Sequence, residues 1–373
     1  MIEVRKVTDR RGRRAFIDLP YRKYRGHPHW VPPARMTEVP QFDPKRSPFL
    51  AEAEMDLFLA WDGPKIVGRV AAIDDHRHNR ILGENIAGFG FFEADSAEVA
   101  AALLAEIDRW AVARGRTSVR GPVSPSLNHV AGLQIDAFDI DPVLMLPYNP
   151  PEYVEWVEAA GYTKAKDLVC WMVDIDPFPI ERWAAIAKRT ERKYGVVVHS
   201  LNRWRLKAET RKLYDIYIQA WEKNWGFVPP TFEEYWHIVR DLRWLWKLKG
   251  VLIAEIDGRP VAATTGIPDV NQILKGTNGR LLPFGWIRFL QWSRLVTRVR
   301  AVTTGVVPEY RDTGVLAALM YRLVVATRRQ GFSQIELSWI LEDNGPANTT
   351  LAKVGGRVYK TYRLYQKVLP TSA

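Results

Sequence analysis

The chain has 373 residues, 47 % hydrophobic and 25 % charged, which excludes a disordered chain and is too long for one ordinary core. Its net charge of +11 favours anionic partners, but the 53 Lys and Arg are scattered among 42 acids, so nucleic acid is not an expected partner. The single cysteine, Cys170, excludes an internal disulfide and a multi-cysteine zinc site; the absence of an apolar run near ~18 residues excludes a membrane span.

In chain order, residues 2–7 are predicted to form a strand and "RRGRRAFIDLPYRKYRG" a helix that runs into the Pro-rich "HPHWVPPARM". "DLFLAWDGPKIVGRVAAIDD" reads as a hairpin turning at Asp62-Gly63, followed by the strand "GFGFFEA". Ser96 is placed to cap a helix that Gly115 stops. Then come a short helix in "PPEYVEWVEAAGY" and the strand "DLVCWMVDI". The second half repeats this order. "ETRKLYDIYIQAWEKNW" is helical, and a hairpin turns at Asp257-Gly258. The strand "VRAVTTGVV", a helix from Gly314 to Gln330, the strand "FSQIELSWI", a helix in "GPANTTLAKVGG" and a last strand "VYKTYRLYQKVL" complete it.

The two hairpin turns lie 195 residues apart, and so do the helix-ending Gly161 and Gly356. That shared spacing predicts a duplicated domain, with the boundary in the Pro-punctuated "DPFPIER": residues 1–178 form one domain and 179–373 the other. The fold class expected is α/β of the mixed α+β kind, with a mixed twisted sheet flanked by helices in each domain.

The turn Arg311, Asp312, Thr313, Gly314 stands directly before a helix whose apolar face is Val315, Leu316, Leu319, Met320, Leu323 and Val324. The first amides of that helix lack internal partners and sit at its positive end, which suits a phosphate or pyrophosphate. Gly314 would allow close approach to the backbone, and Arg311 adds a fork of donors. Asp312 or Thr313 acting as an ordinary cap is the alternative.

Strand, Arg-x-x-Gly turn, helix, strand, and Asn-x-x-Ala opening a helix that ends in Lys-x-Gly together resemble the GNAT superfamily of acyl-CoA N-acyltransferases. Arg311 and Gly314 match its pyrophosphate pattern, while Leu316 departs from the usual Gly or Ala. Asn344, Ala347, Lys353 and Gly355 match the downstream pattern, but Leu351 stands where many members place a general-acid Tyr. The whole chain is also similar to a bacterial family of tandem GNAT-like proteins, through "HWVPP", "GPVSPSLN", "YNPPEY" and "VVPEYRDTGV". In the first half the corresponding loop, Glu93-Ala94-Asp95-Ser96, is acidic and lacks both Arg and Gly, so that domain is expected to be degenerate for cofactor binding.

The resemblance implies an enzyme that takes acyl-CoA, acetyl or longer, as co-substrate and passes its acyl group to an amine without a metal. The cofactor set is then Val306, Val307, Arg311, Asp312, Thr313, Gly314, Val315 and Asn344, with the amide of Val306 or Val307 on the thioester oxygen. Glu336, Asp269 and Glu255 are candidate bases for the incoming ammonium; Asn344 reaches for the cofactor arm or caps its helix, two roles that can coexist. Trp221, Asn224, Trp225 and Phe227, in the densest aromatic block, would wall the acceptor pocket; an aromatic interface between domains is the competing reading.

Residues 281–300 read as an inserted helix with a Trp/Phe side and a basic side, suited either to an anionic membrane surface or to docking on a neighbouring domain. The membrane reading implies a lipid amine or a long acyl chain. The pairs "HPH" and "HRH" lack a third metal ligand at a recognisable spacing, and Ser124 and Ser126 lack a nucleophile-elbow pattern. Two other functions compete: a Fem-like aminoacyl or peptidyl transferase, and a non-catalytic acyl-CoA or lipid-binding protein, the latter motivated by Leu351. The N-terminus "MIEVRKV" is no signal peptide, so a cytoplasmic protein, peripheral at the inner membrane face if the lipid reading holds, is expected.

Overall fold

A computed structural model of the chain describes residues 1–242, 250–275, 277 and 285–370. They divide into two compact units: residues 1–168, 273–289 and 360–373 form the first, and 169–272 and 290–359 the second. Residue 178 therefore lies inside the second unit, and residues 360–373 belong to the first. The sequence division at 178/179 and the spatial grouping differ in membership because the last strand completes a sheet begun far upstream.

In the first unit, Ile2–Lys6, Ala53–Asp62, Lys65–Asp75 and Ile86–Ala94 pair antiparallel in that order. Ile86–Gly88 then pairs parallel with Ser118–Arg120, whose strand in turn takes Tyr365–Val368 antiparallel. Helix Ala97–Val112 follows the 3.6 period expected of it and buries Leu103, Leu104 and Ile107 completely against this sheet. Ser96 caps it by accepting a hydrogen bond from Val99 N.

In the second unit, Val197–Ser200, Val251–Ile256, Arg259–Pro268 and Arg298–Val306 pair antiparallel, and Arg298–Val306 continues in parallel to Gln334–Leu341. The second hairpin turns with positive φ at both Asp257 and Gly258, the conformation that a tight two-residue loop needs to match strand twist. Helix Leu206–Trp221 packs Leu213 and Ile216 on one face of the sheet, over Ile253, Ala263 and Val307. Helix Val315–Arg329 buries Val315, Leu319 and Leu323 on the other.

Several elements escaped the sequence reading, among them helix His76–Leu82 and strand Ser118–Gly121 in the first unit and three in the second. Helix Ile180–Tyr194 begins inside the Pro-punctuated segment read as a linker, although Ile180, Trp183, Ala184 and Ala187 carry a helical apolar period; of its residues Ala187 and Thr190 are buried. Strand Val197–Ser200 has no fully buried residue, and helix Phe232–Leu242 lies within the aromatic block. The single inserted helix does not form. Residues 278–284 lie outside the described residues; Gly285–Gln291 is a 3-10 helix, Trp292–Leu295 one α-turn, and strand resumes at Arg298. The expected apolar contribution of Trp286 and Phe289 lies outside the described side chains.

Candidate functional site

Pairing between Arg298–Val306 and Gln334–Leu341 runs from Arg298↔Gln334 to Ala301↔Leu337 and stops. Beyond it the two strands part, leaving one edge of residues 302–306 without its parallel neighbour. On the other edge, Val307 N donates to Val261 O at 2.9 Å. The Val307 amide is therefore engaged, which corrects its assignment as a thioester-oxygen donor. Antiparallel pairs alternate, so Ala262↔Val306 falls at a non-hydrogen-bonded position and the Val306 N–H points into the open edge. Thr264 and Thr304, two residues along, obey the same alternation: their hydroxyls lie 2.8 Å apart, as close-spaced pairs require.

The chain leaves this strand through Val307 into the 3-10 helix Pro308–Thr313, and Gly314 opens helix Val315–Arg329 with φ +83°. Glycine is needed there twice over. The φ is left-handed, and a Cβ would lie 2.7 Å from Thr190 Oγ1 on helix Ile180–Tyr194. Gly314 O accepts from Ala317 N (3.0 Å) and Ala318 N (3.2 Å). The amides ahead of these, Val315 and Leu316, have no carbonyl one turn back to bind. Val315 N meets only Thr313 Oγ1, at 3.4 Å, so Thr313 is a weak cap, and Asp312 is exposed and caps nothing. Arg311 is exposed, and one of its N–H groups donates to Ala220 O at 2.9 Å, tying the turn to the end of helix Leu206–Trp221.

That tie brings Trp221 to the parted strand. A Cβ on Gly305 would stand 2.2 Å from Trp221 Cζ3, so the indole lies directly on the Gly305 backbone. Behind it, Tyr217 is the hub of a ring cluster, with centroids 4.8 Å from Trp221, 5.3 Å from Phe227 and 5.4 Å from Tyr235. Burial raises the Tyr217 phenol well out of its usual range. Phe227 is thus a core ring, while Trp221 is the member that meets the strand. Asn224 closes the turn after the helix, its N–H on Trp221 O and its C=O accepting from Phe227 N, and Trp225 beside it is half-buried.

The carboxylates differ in setting. Asp269 is buried, with Oδ1 accepting from Asn271 N at 3.3 Å and Oδ2 3.4 Å from Arg298 Nε, an arrangement that fixes a chain turn. Glu255 is tied to Lys212 at 2.8 Å and His199 at 3.4 Å; burial acts to raise it, but the hydrogen bonds from these two side chains and the Lys212 charge hold it below the ordinary carboxylate range. Glu336 is fully buried in register with Arg300, at the last stretch of pairing before the strands part. Its Oε2 lies 3.5 Å from Arg300 Nε and its Oε1 accepts from Tyr359 OH at 3.2 Å. Burial raises its pKa, and Arg300 offsets only part of that rise because the contact is long. Asn344 caps helix Gly345–Lys353, accepting from Ala347 N at 3.3 Å, and Leu351 is buried in that helix.

Thr190, Gly305, Arg300 and Tyr359 join these residues only in space. A glycine just ahead of a strand's end was the one visible signal, at Gly305.

The corresponding strand-to-helix passage in the first unit is closed by protein atoms. Ile86–Ala94 pairs with Ser118–Gly121 only as far as Gly88↔Arg120, but Val123 and Ser124 fill the gap. Ser124 Oγ accepts from Phe91 N at 2.9 Å, and a Cβ on Gly90 would overlap Val123 O at 1.5 Å. Ala94 N donates to Tyr153 OH at 2.8 Å and Asp95 N to Val67 O at 3.0 Å. Glu93, buried beneath, has its pKa raised by burial and accepts from Tyr24 OH at 2.6 Å and Tyr153 OH at 3.0 Å. The His-x-His residues are engaged locally: His27 with Tyr148, His29 with Asp141, His78 with Glu84, and His76 near Glu54 and Asp74. No helix among the described residues is long and apolar enough to cross a membrane.

No family model matches the chain. Among curated proteins it is 32 % identical over 373 residues to Protein YghO of Escherichia coli (strain K12), spanning 98 % of the chain and 95 % of that protein. It is 33 % identical over 363 residues to the bacterial ceramide synthase of Caulobacter vibrioides, spanning 95 % and 94 %. Among solved structures, a tandem GNAT protein from the clavulanic acid biosynthesis pathway matches over 100 % of both chains with a TM-score of 0.60 at 13 % identity. A GCN5-related N-acetyltransferase from Sphaerobacter thermophilus covers 100 % of this chain and 97 % of its own, with a TM-score of 0.52 at 16 % identity.

Proposed function

The chain belongs to the family of Protein YghO and the Caulobacter vibrioides bacterial ceramide synthase, and its fold is that of a tandem GNAT protein; from these we propose that it transfers a long acyl group from coenzyme A to a lipid amine. The single observation that carries this reading is the parted strand pair, with the Val306 N–H directed into the opening and Gly314 at the start of the adjoining helix.

The under-bonded amides of Val315 and Leu316, with the remaining donors of Arg311, suit a diphosphate. The Val306 amide then faces a thioester oxygen and stabilises the charge that grows there as the amine attacks. A C–N bond forms and the C–S bond breaks. The ammonium proton must go to a base, and the sulfur leaves as thiolate. Glu336 is the carboxyl best suited to accept the proton, since its raised pKa brings it closer to neutrality than an exposed Glu. Leu351 cannot reprotonate the thiolate, a task that falls to water. Trp221 on Gly305 supplies the apolar wall, and a ceramide, being a fatty amide of a long-chain amine, is the product type the named relative suggests. The first unit, with its passage closed, acts as a scaffold and binds no second coenzyme A.

The test is release of free thiol from palmitoyl-CoA, with and without a sphingoid amine. Amine-dependent release that falls in Arg311→Ala supports the reading. Binding of palmitoyl-CoA without release points to the non-catalytic lipid-binding alternative, which the buried Leu351 favours. Amine-dependent deacylation of an aminoacyl-tRNA, read as free tRNA rather than as thiol, identifies a Fem-like transferase.

A further inference from the structure

The residues between the edge strand Val197–Ser200 and helix Leu206–Trp221 form a surface with no part in the site above. Asn202 opens a 3-10 turn, Arg203–Arg205, its side chain accepting from Trp204 N at 3.0 Å. Arg205 N returns to Asn202 O at 3.0 Å, and Leu201 N is held by Val251 O at 3.0 Å. This ordered turn presents Trp204 with 83 % of its surface exposed, while Val197 on the strand leading to it is 60 % exposed. The guanidinium of Arg203 lies 4.7 Å from the indole centroid, and Arg205 and Lys207, which follow in the chain, are exposed. Among the described residues none of these three cations has an ion-pair partner, whereas Lys212, further along the same helix, is paired with both Glu209 and Glu255.

An indole left in water on a hydrogen-bonded turn forgoes the stabilisation that burial would give it. Trp seats well at the headgroup level of a bilayer, where its ring is apolar and its N–H wet. Unpaired Arg and Lys around it complement anionic headgroups. Nucleic acid would also satisfy the cations, but the basic residues of the chain are scattered among acids instead of forming the stripe that a nucleic acid tracks. We infer that the Arg203–Arg205 turn, with Lys207, is a docking surface for an anionic phospholipid bilayer and that Trp204 is its anchor. This assigns the membrane contact to that turn rather than to residues 281–300. It stands on surface chemistry alone, and its test reads no acyl transfer, so it can fail while the proposed reaction holds.

The full-length protein is floated with vesicles of phosphatidylcholine, with and without phosphatidylglycerol, alongside Trp204→Ala and the triple variant Arg203→Gln/Arg205→Gln/Lys207→Gln. The wild type is expected to float with the anionic vesicles and to be released as salt is raised. Trp204→Ala should lower partitioning roughly tenfold or more. The triple variant should lower it on the order of a hundredfold. Circular dichroism and melting temperature, unchanged for these exposed positions, exclude misfolding as the cause. Failure of the wild type to float overturns the proposal, as does flotation of the variants at wild-type level. Trp204-dependent binding of a single-stranded RNA oligonucleotide with no vesicle binding overturns it in favour of nucleic acid.

Discussion

Trp221 and Gly305 occupy one position between them: the indole edge sits where a Cβ of residue 305 would project, at 2.2 Å. A strand residue next to the candidate oxygen-binding amide therefore has no side chain because a ring from the preceding helix takes its place. Gly305→Ala should lower stability by about 1–3 kcal/mol, since the ring can only move by disturbing Tyr217 behind it. Thermal melting checks this; Gly305→Ala/Trp221→Ala should recover part of the loss if the clash is the cause.

Gly314→Ala combines a positive φ with a contact of 2.7 Å to Thr190 Oγ1. A loss of about 1–3 kcal/mol is expected, with weaker binding of acyl-CoA by titration calorimetry. Thr190→Ala in the same background should relieve the contact but not the backbone strain, so recovery should be incomplete.

Glu336 gives a signed pH dependence. Its folded pKa is raised, chiefly by burial, so the folded state holds the proton more tightly than the unfolded chain does. That contribution is full below the ordinary carboxylate value of about 4.3 and is lost as pH rises through the folded pKa. Relative to Glu336→Gln, the wild type should therefore lose stability as pH climbs from about 4.3, the two curves running parallel below it. Denaturant midpoints measured across pH check this, and a difference that grows in the opposite sense would show that Arg300 outweighs burial. In the acyl-transfer assay the Gln variant should lose the acidic limb of the pH–rate profile.

Tyr153→Phe removes the hydroxyl that accepts from Ala94 N and donates to the buried Glu93. The orphaned groups should cost about 1–3 kcal/mol. If the first unit is a scaffold, the affinity for acyl-CoA should stay unchanged, and calorimetry on the folded variant decides it.

Periodicity and turn chemistry determined most of the elements. The hairpins at Asp62-Gly63 and Asp257-Gly258, the caps at Ser96 and Asn344, and the helix after Gly314 are local events, governed by φ preferences and by hydrogen bonds a few residues apart. The doubled order of elements was legible for the same reason. Helix Ile180–Tyr194 has a readable period in Ile180, Trp183, Ala184 and Ala187, but Pro177 and Pro179 just ahead of it give its first turn the look of a linker.

What only the tertiary structure decided is which groups are already engaged. Val306 and Val307 are chemically alike neighbours, and only strand pairing aims one amide at Val261 O and the other at the open edge. Glu336 became distinctive through Arg300, 36 residues away but facing it on the adjacent strand, and Tyr359, 23 residues away, whose hydroxyl reaches it from strand Arg357–Val368. Hydrogen-bond satisfaction and desolvation belong to the packed state, so a sequence names the groups while the fold fixes which of them remain available.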